Sequence, residues 1–328
     1  MGRRLGTGGR TPPGPQTPQG LASLFHAERE RIRLKHELLG LLAVPLLEGY
    51  RLDLRGAPDV REAVSEALGP PPPSPPSPSP LSPSPAAPGP PLGLLPLRDL
   101  LGMIGAHEWR RRGVPIPALG ASVHPHFGVY APVRREHVDL VARAADTWPV
   151  AQRRAIDVGT GTGVLALLLA RRGANTIATD IEPRAVDCAR ENASRLGLSR
   201  RVEVVLADLF PGEPADLVVS NPPWIPAPAH STLDRAIYDP GGEVLSRLVT
   251  GLPAALGPGG EAWIVLSDLA ERLGLRPKGQ LESLSAAAGL RVCDVLEARP
   301  SHPRTRDLAD PLFEARAAEV VRLFRLRR

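Results

Sequence analysis

The apolar positions change their period along the chain. Between residues 21 and 42 they recur largely at three- and four-residue steps (Leu21, Leu24, Phe25, Ile32, Leu38, Leu39). Charges such as Glu28, Arg29, Glu30 and Arg31 fill the other positions, which predicts an amphipathic helix. A second, short helix is expected over 60–68, a third over 94–111 and a fourth over 136–145. From residue 153 the pattern becomes short apolar runs alternating with helical stretches. Strands are expected at 155–158, 175–179, 202–206, 216–220 and 261–266, with helices at 164–172, 183–196, 243–256 and 278–288. Runs at 290–298 and 319–324 read as a closing antiparallel hairpin. Strand–helix alternation of this kind predicts a doubly wound, seven-stranded α/β sheet.

Between these halves the pattern stops. Residues 70–92 are dominated by proline and serine, which lack both a repeating apolar face and, at proline, the N–H that helix and sheet require. The stretch reads as an extended linker. Residues 1–20 are basic and rich in Gly and Pro, and are expected to form a disordered tail. The chain is therefore divided into the tail (1–20), an N-terminal helical region (21–69), the Pro-rich linker (70–92), a helical and loop lead-in (93–135) and the α/β domain (136–328).

Composition changes this picture little. The 328 residues are 42% hydrophobic, enough for a packed core, and carry 40 Lys+Arg against 35 Asp+Glu, a formal charge of +5. The basic excess leans toward ribosome- or nucleic-acid-linked partners without choosing one. Cys188 and Cys293 stand at no metal-ligand spacing, so neither a disulfide framework nor a zinc site is expected. His124, His126 and His137 lie close in sequence, but proline interrupts them and no cysteine joins them, so they read as loop histidines and no metal is expected. No run reaches the ~18 apolar residues of a membrane span. No apolar signal core follows Arg3 and Arg4, and position 6 is Gly where a myristoylation signal needs Ser or Thr. The expected location is the cytoplasm and the expected state a monomer.

The chemistry collects at strand ends. After the 155–158 run come Gly159, Thr160, Gly161, Thr162 and Gly163, then an apolar helix. A glycine turn between strand and helix lets a ligand approach the main chain beside free helix N–H groups. Asp180 ends the second strand, where such folds hold ribose hydroxyls. Asp208 and Leu209 follow the third strand, and Asn221, Pro222, Pro223 and Trp224 follow the fourth. All sit at the edge where open parallel sheets bind ligands. A nicotinamide dehydrogenase needs G-x-G-x-x-G. Counted from Gly159 the third glycine falls on Val164, and counted from Gly161 it falls on Ala166, a variant that occurs. Asn-Pro-Pro-Trp, for which a dehydrogenase has no use, decides against that class.

These motifs resemble those of class I S-adenosylmethionine (SAM) methyltransferases, and within them the HemK/PrmC-type protein N5-glutamine methyltransferases. The shared residues are Asp-Val-Gly-Thr-Gly-Thr-Gly from Asp157, the strand-two acid, Ala-Asp after strand three, and Asn-Pro-Pro-aromatic. The run from Val129 to Glu136 and the segment Tyr238, Asp239, Pro240, Gly241, Gly242 resemble further family segments. Trp224 stands where the family usually has Tyr, and the proline linker has no family counterpart. The resemblance implies a Rossmann-like methyltransferase domain with a small N-terminal helical domain for substrate. It implies that residues 159–163 wrap the methionine part of SAM, that Asp157 places its amino group, that Asp180 binds the ribose, and that Asp208 and Leu209 flank adenine.

The motif also makes sense without the family. The Asn221 side-chain carbonyl and the Pro222 main-chain carbonyl can both accept from one planar NH2, and two prolines fix the loop that carries them. Trp224 is expected to offer a flat face for an amide or base. The expected function is N-methylation of a planar NH2, first of a glutamine in a release factor or ribosomal protein. Adenine N6 or guanine N2 in rRNA, tRNA or DNA is the alternative acceptor. A SAM-binding module without catalysis is a second alternative, for which an intact Asn-Pro-Pro-Trp has no purpose. Asp239 is read as a loop residue that could reach substrate.

Overall fold

A computed structural model describes residues 17–73, 92–301 and 305–328. The basic tail expected over 1–20 lies outside these residues up to 16, and the Pro-rich linker expected over 70–92 lies outside them from 74 to 91. The chain enters on helix α1 (Pro18–Gly40), whose N-cap Thr17 side chain accepts the Gly20 N–H at 3.2 Å. Then follow β1 (Ala43–Leu47), β2 (Arg51–Leu52), α2 (Arg61–Leu68), β3 (Gly93–Pro96) and α3 (Leu97–Arg112). β1 pairs antiparallel with both β2 and β3. The region read as helical therefore carries a three-stranded sheet as well. None of its strands exceeds five residues, too short for a period-2 alternation to stand out. The helix expected to start at 94 starts at Leu97, because residues 94–96 pair with β1 as β3.

A short hairpin, β4 (Val114–Ile116) with β5 (Ala121–Val123), leads to α4 (Glu136–Thr147). The large sheet follows: β6 (Arg154–Val158), α5 (Val164–Arg171), β7 (Asn175–Asp180), α6 (Pro183–Arg195), β8 (Val202–Leu206), β9 (Ala215–Ser220), α7 (Glu243–Ala255) and β10 (Leu256–Ser267). It ends with α8 (Leu269–Arg272), α9 (Gln280–Ala287), β11 (Arg291–Ala298), α10 (Phe313–Ala317) and β12 (Val321–Arg327). The strand order is β11-β12-β10-β9-β6-β7-β8. Strands β6 to β10 run parallel, and β12 is antiparallel to both its neighbours. β10 begins five residues before the expected strand, and its register against β9 shifts between Leu256 and Glu261. The expected Pro258-Gly259-Gly260 turn is thus an irregularity within a longer strand.

Alternate residues of the central strands face opposite layers. Leu217 and Val219 pack with α4, α5 and α6, whereas Val218, Ile156 and Val158 pack with α7 and α9. This double coverage explains why the strands read as unbroken apolar runs. The chain climbs from β6 through β7 to β8, then returns to the other side of β6 at β9. Strand order reverses there, and in open sheets that reversal opens a crevice beyond the C-terminal strand ends. Among the described residues no helix is long and apolar enough to cross a membrane.

Candidate active site

The loop after β6 is pinned by buried polar groups. Asp157, 1% exposed, accepts the Thr160 hydroxyl at 2.7 Å and the Ala166 N–H at 3.0 Å on the same oxygen. One carboxylate therefore ties the strand end to the loop and to the first turn of α5, where a helix has N–H groups without internal partners. Burial pushes this carboxyl up to about 6. The main-chain N–H groups of Gly159 and Thr160 both donate to the Thr179 carbonyl at 2.9 Å, and Asn192 of α6 donates to the Thr162 carbonyl at 3.0 Å. Gly161 has φ 55° and no atom within 4 Å of where a Cβ would stand. Gly163 has φ 82°, and a Cβ there would lie 3.1 Å from that of Ala189, so α5 and α6 approach closely only without a side chain. Asp180 accepts from Gly161 N–H on one oxygen (2.9 Å) and from Glu182 N–H on the other (3.0 Å). Burial raises its pKa too.

Asn221, Pro222 and Pro223 leave β9 beside this loop. Together with residues 157–162, Asp180, Asp208 and Leu209 they line one cavity of about 580 Å³ at the strand-order reversal. Trp224 does not line it. Its indole N–H donates to Asn221 Oδ1 at 3.0 Å, its ring packs against the hydrophobic clusters, and the Arg134 guanidinium lies 5.3 Å from the ring centroid. The expected stacking face for an amide or base is therefore not on the cavity wall: the partly buried ring packs against the core, and its N–H goes to Asn221. Asp208, on the cavity wall, also pairs through one carboxylate oxygen with Arg247 of α7 at 2.6 Å. Leu209 holds φ 69°, and its carbonyl accepts the Thr179 hydroxyl at 2.6 Å. Asp239 is fully buried and accepts the N–H groups of Val244 and Leu245 at 2.9 and 3.0 Å. It caps α7, so its reading as a substrate contact is not supported.

The histidines separate. His124 Nδ1 lies 2.6 Å from the Arg110 carbonyl and His126 Nε2 lies 2.7 Å from Glu191. His137 sits in the first turn of α4 rather than in a loop, lines the cavity, and is held neutral by burial down to about 4. No group of three possible ligands is placed to hold a metal among the described residues. Tyr130 and Tyr238, both within the family-like segments, also reach the cavity, as do Arg184 and Arg235, which no sequence motif marks.

Residues 123–277 match the family described as Methyltransferase small domain. The chain is similar to the release factor glutamine methyltransferase of Cereibacter sphaeroides, 38% identical over 156 residues, covering 43% of this chain and 54% of that one. The protein of that name from Deinococcus radiodurans is 42% identical over 125 residues, covering 34% and 44%. The one from Bordetella pertussis is 32% identical over 190 residues, covering 48% and 70%. The chain thus spans about half the length of the first two relatives and 70% of the third. On the strength of the Bordetella match, which takes in more than two thirds of that relative, the chain belongs to the release factor glutamine methyltransferase family.

Proposed function

We propose that this protein is a SAM-dependent N-methyltransferase whose acceptor is a glutamine side chain of a release-factor-type protein. The observation that carries the proposal is the sharing of one cavity by the glycine loop, Asp180 and the residues Asn221, Pro222 and Pro223. The residues present fit the cofactor. Gly161 leaves space where a side chain would intrude, and Asp180 uses one lone pair on each oxygen for main-chain N–H groups. A carboxylate keeps further acceptor sites, which suits two ribose hydroxyls. Residues 159–163 hold the methionine part, while Asp208 and Leu209 stand at the place for adenine. Asp157 fixes the loop's shape through one oxygen and, lining the cavity, has its other oxygen for the cofactor's amino group. Bound SAM supplies a methyl group carried on a cationic sulfur.

The chain's own contribution is positioning. Asn221 Oδ1 has one donor in Trp224 and a second acceptor direction left. With the Pro222 carbonyl it takes both N–H bonds of a primary amide and turns the nitrogen's face toward the glycine loop. The adjacent prolines restrict the loop's own dihedrals, so these acceptors are set before substrate arrives. Placement of this kind can supply about 7–11 kcal/mol of a barrier. The test is tritiated SAM with a purified release factor, and with cell lysate treated separately with protease and nuclease. Label in glutamine, lost on protease treatment, supports the proposal. Label in RNA or DNA, lost on nuclease treatment, refutes it in favour of a nucleobase acceptor.

A further inference from the structure

The segment that follows the acceptor motif is held from outside by the first helix of the chain. Ile225 bridges to Tyr238 in parallel, and the N–H groups of Trp224 and Ile225 both donate to the Ile237 carbonyl at 3.1 and 3.0 Å. Residues 225–238 are thereby closed into a loop, with Tyr238 on the cavity wall. Pro226 and Pro228 remove N–H donors from its first part, so that part cannot be stitched by a regular ladder. Helix α1 fills the gap. Phe25, buried, packs in one cluster with Ile225 and Ala227. Arg29, one turn later, donates from Nη2 to the Pro228 carbonyl at 2.7 Å, 199 residues away in sequence. The same guanidinium lies 3.7 Å from the Tyr238 ring centroid. One planar cation thus touches both arms of the loop, using a hydrogen bond on one and ring stacking on the other.

We propose that Arg29 of α1 is a positioning residue for the acceptor loop, clamping residues 225–238 so that Asn221 and Pro222 keep their place on the cavity wall. The role in transfer rests on the function proposed above; the clamp itself does not. Arg29 touches neither the cavity nor the glycine loop, so its removal separates loop order from cofactor binding.

The test uses the full chain with Arg29→Ala, Arg29→Gln and Arg29→Lys. Amide hydrogen exchange is followed with S-adenosylhomocysteine bound. In Arg29→Ala, the amides of Trp224, Ile225, Ile237 and Tyr238 should exchange about tenfold faster while those of β6 and β7 are unchanged. Affinity for S-adenosylhomocysteine should stay within about threefold, and transfer should fall roughly fivefold or more in kcat rather than KM. Lys, which keeps a donor and a cation, should restore most of the loss; Gln, which keeps only a donor, should restore less. Unchanged exchange at the four amides overturns the proposal. A uniform rise across the molecule overturns it too, because that marks a general loss of stability. Faster local exchange with undiminished transfer overturns the positioning role. If the parent protein transfers no methyl group, the proposed function fails, and the exchange pattern still decides whether Arg29 is the clamp.

Discussion

Replacing Trp224 by Phe tests the link between the aromatic residue and the acceptor-holding amide. Phe keeps a flat apolar ring beneath Arg134, loses part of the indole's packing area, and removes the N–H that donates to Asn221 Oδ1 at 3.0 Å. A hydrogen bond of this kind is worth about 1–1.5 kcal/mol net. Without it nothing in the loop distinguishes the amide oxygen of Asn221 from its NH2, and the side chain is free to present a donor where an acceptor is needed. A loss of about 1.4 kcal/mol in the transition state is tenfold in rate, so kcat should fall about tenfold. SAM affinity should stay within about twofold, since the ring is absent from the cavity wall. The assay is steady-state transfer from tritiated SAM, with binding measured separately by calorimetry. A double variant sharpens it: if Trp224 acts through Asn221, adding Trp224→Phe to Asn221→Ala should slow transfer little further. Full additivity, or a fall in SAM affinity that tracks the fall in rate, would refute the reasoning.

Other predictions follow from the same geometry. His137 is held at about 4 in the fold against an ordinary value near 6.5. The folded state therefore binds fewer protons in that interval, and stability is full above pH 6.5 and lost as pH falls toward 4, by about 3 kcal/mol in all. Asp157, pushed up to about 6, works in the opposite sense, regaining stability as pH falls through 6. The comparison must therefore be parent against His137→Gln, and urea midpoints that run parallel from pH 7 to 4 would contradict it. Gly163→Ala should destabilise by about 2–4 kcal/mol, from the 82° φ and the 3.1 Å approach to Ala189, both of which cost energy; a thermal midpoint shift of under a degree would count against this packing. Glu261, with no exposed surface, accepts from Trp263 Nε1 and Arg325 Nε at 2.9 Å and pairs with Arg327. Glu261→Ala should cost about 3–5 kcal/mol in chemical denaturation, and a neutral result would show those cations find other partners.

Much of the sheet was readable because its strands are buried on both faces. Apolar runs bounded by glycine, aspartate or proline placed β6 to β9 within a residue at each end. The site's strand-end acids were visible for the same reason, as polar residues breaking an apolar run. What escaped was set by partners far away in sequence. The strands of the N-terminal sheet are short and pair across an inserted segment, so no local period announces them. The direction of the Trp224 ring depends on a loop turn that puts its N–H on Asn221, and sequence alone assigned the ring to the substrate. Asp239 reads from sequence as a loop residue, and only the start of α7 beside it shows that it is a cap. The ion pair between Asp208 and Arg247 was equally out of sight, because the two residues lie 39 apart in sequence.

β12 lies between β10 and β11, and both of those are made before it. Until residues 321–327 have been synthesised, β10 carries an unsatisfied row of main-chain groups and β11 has no neighbour in the sheet. The sheet is thus completed by insertion into its middle, not by addition at its rim. A nascent chain halted after β11 would present a long apolar edge to other chains. Premature termination between Ala298 and Val321 should therefore yield aggregates rather than a slightly shortened protein.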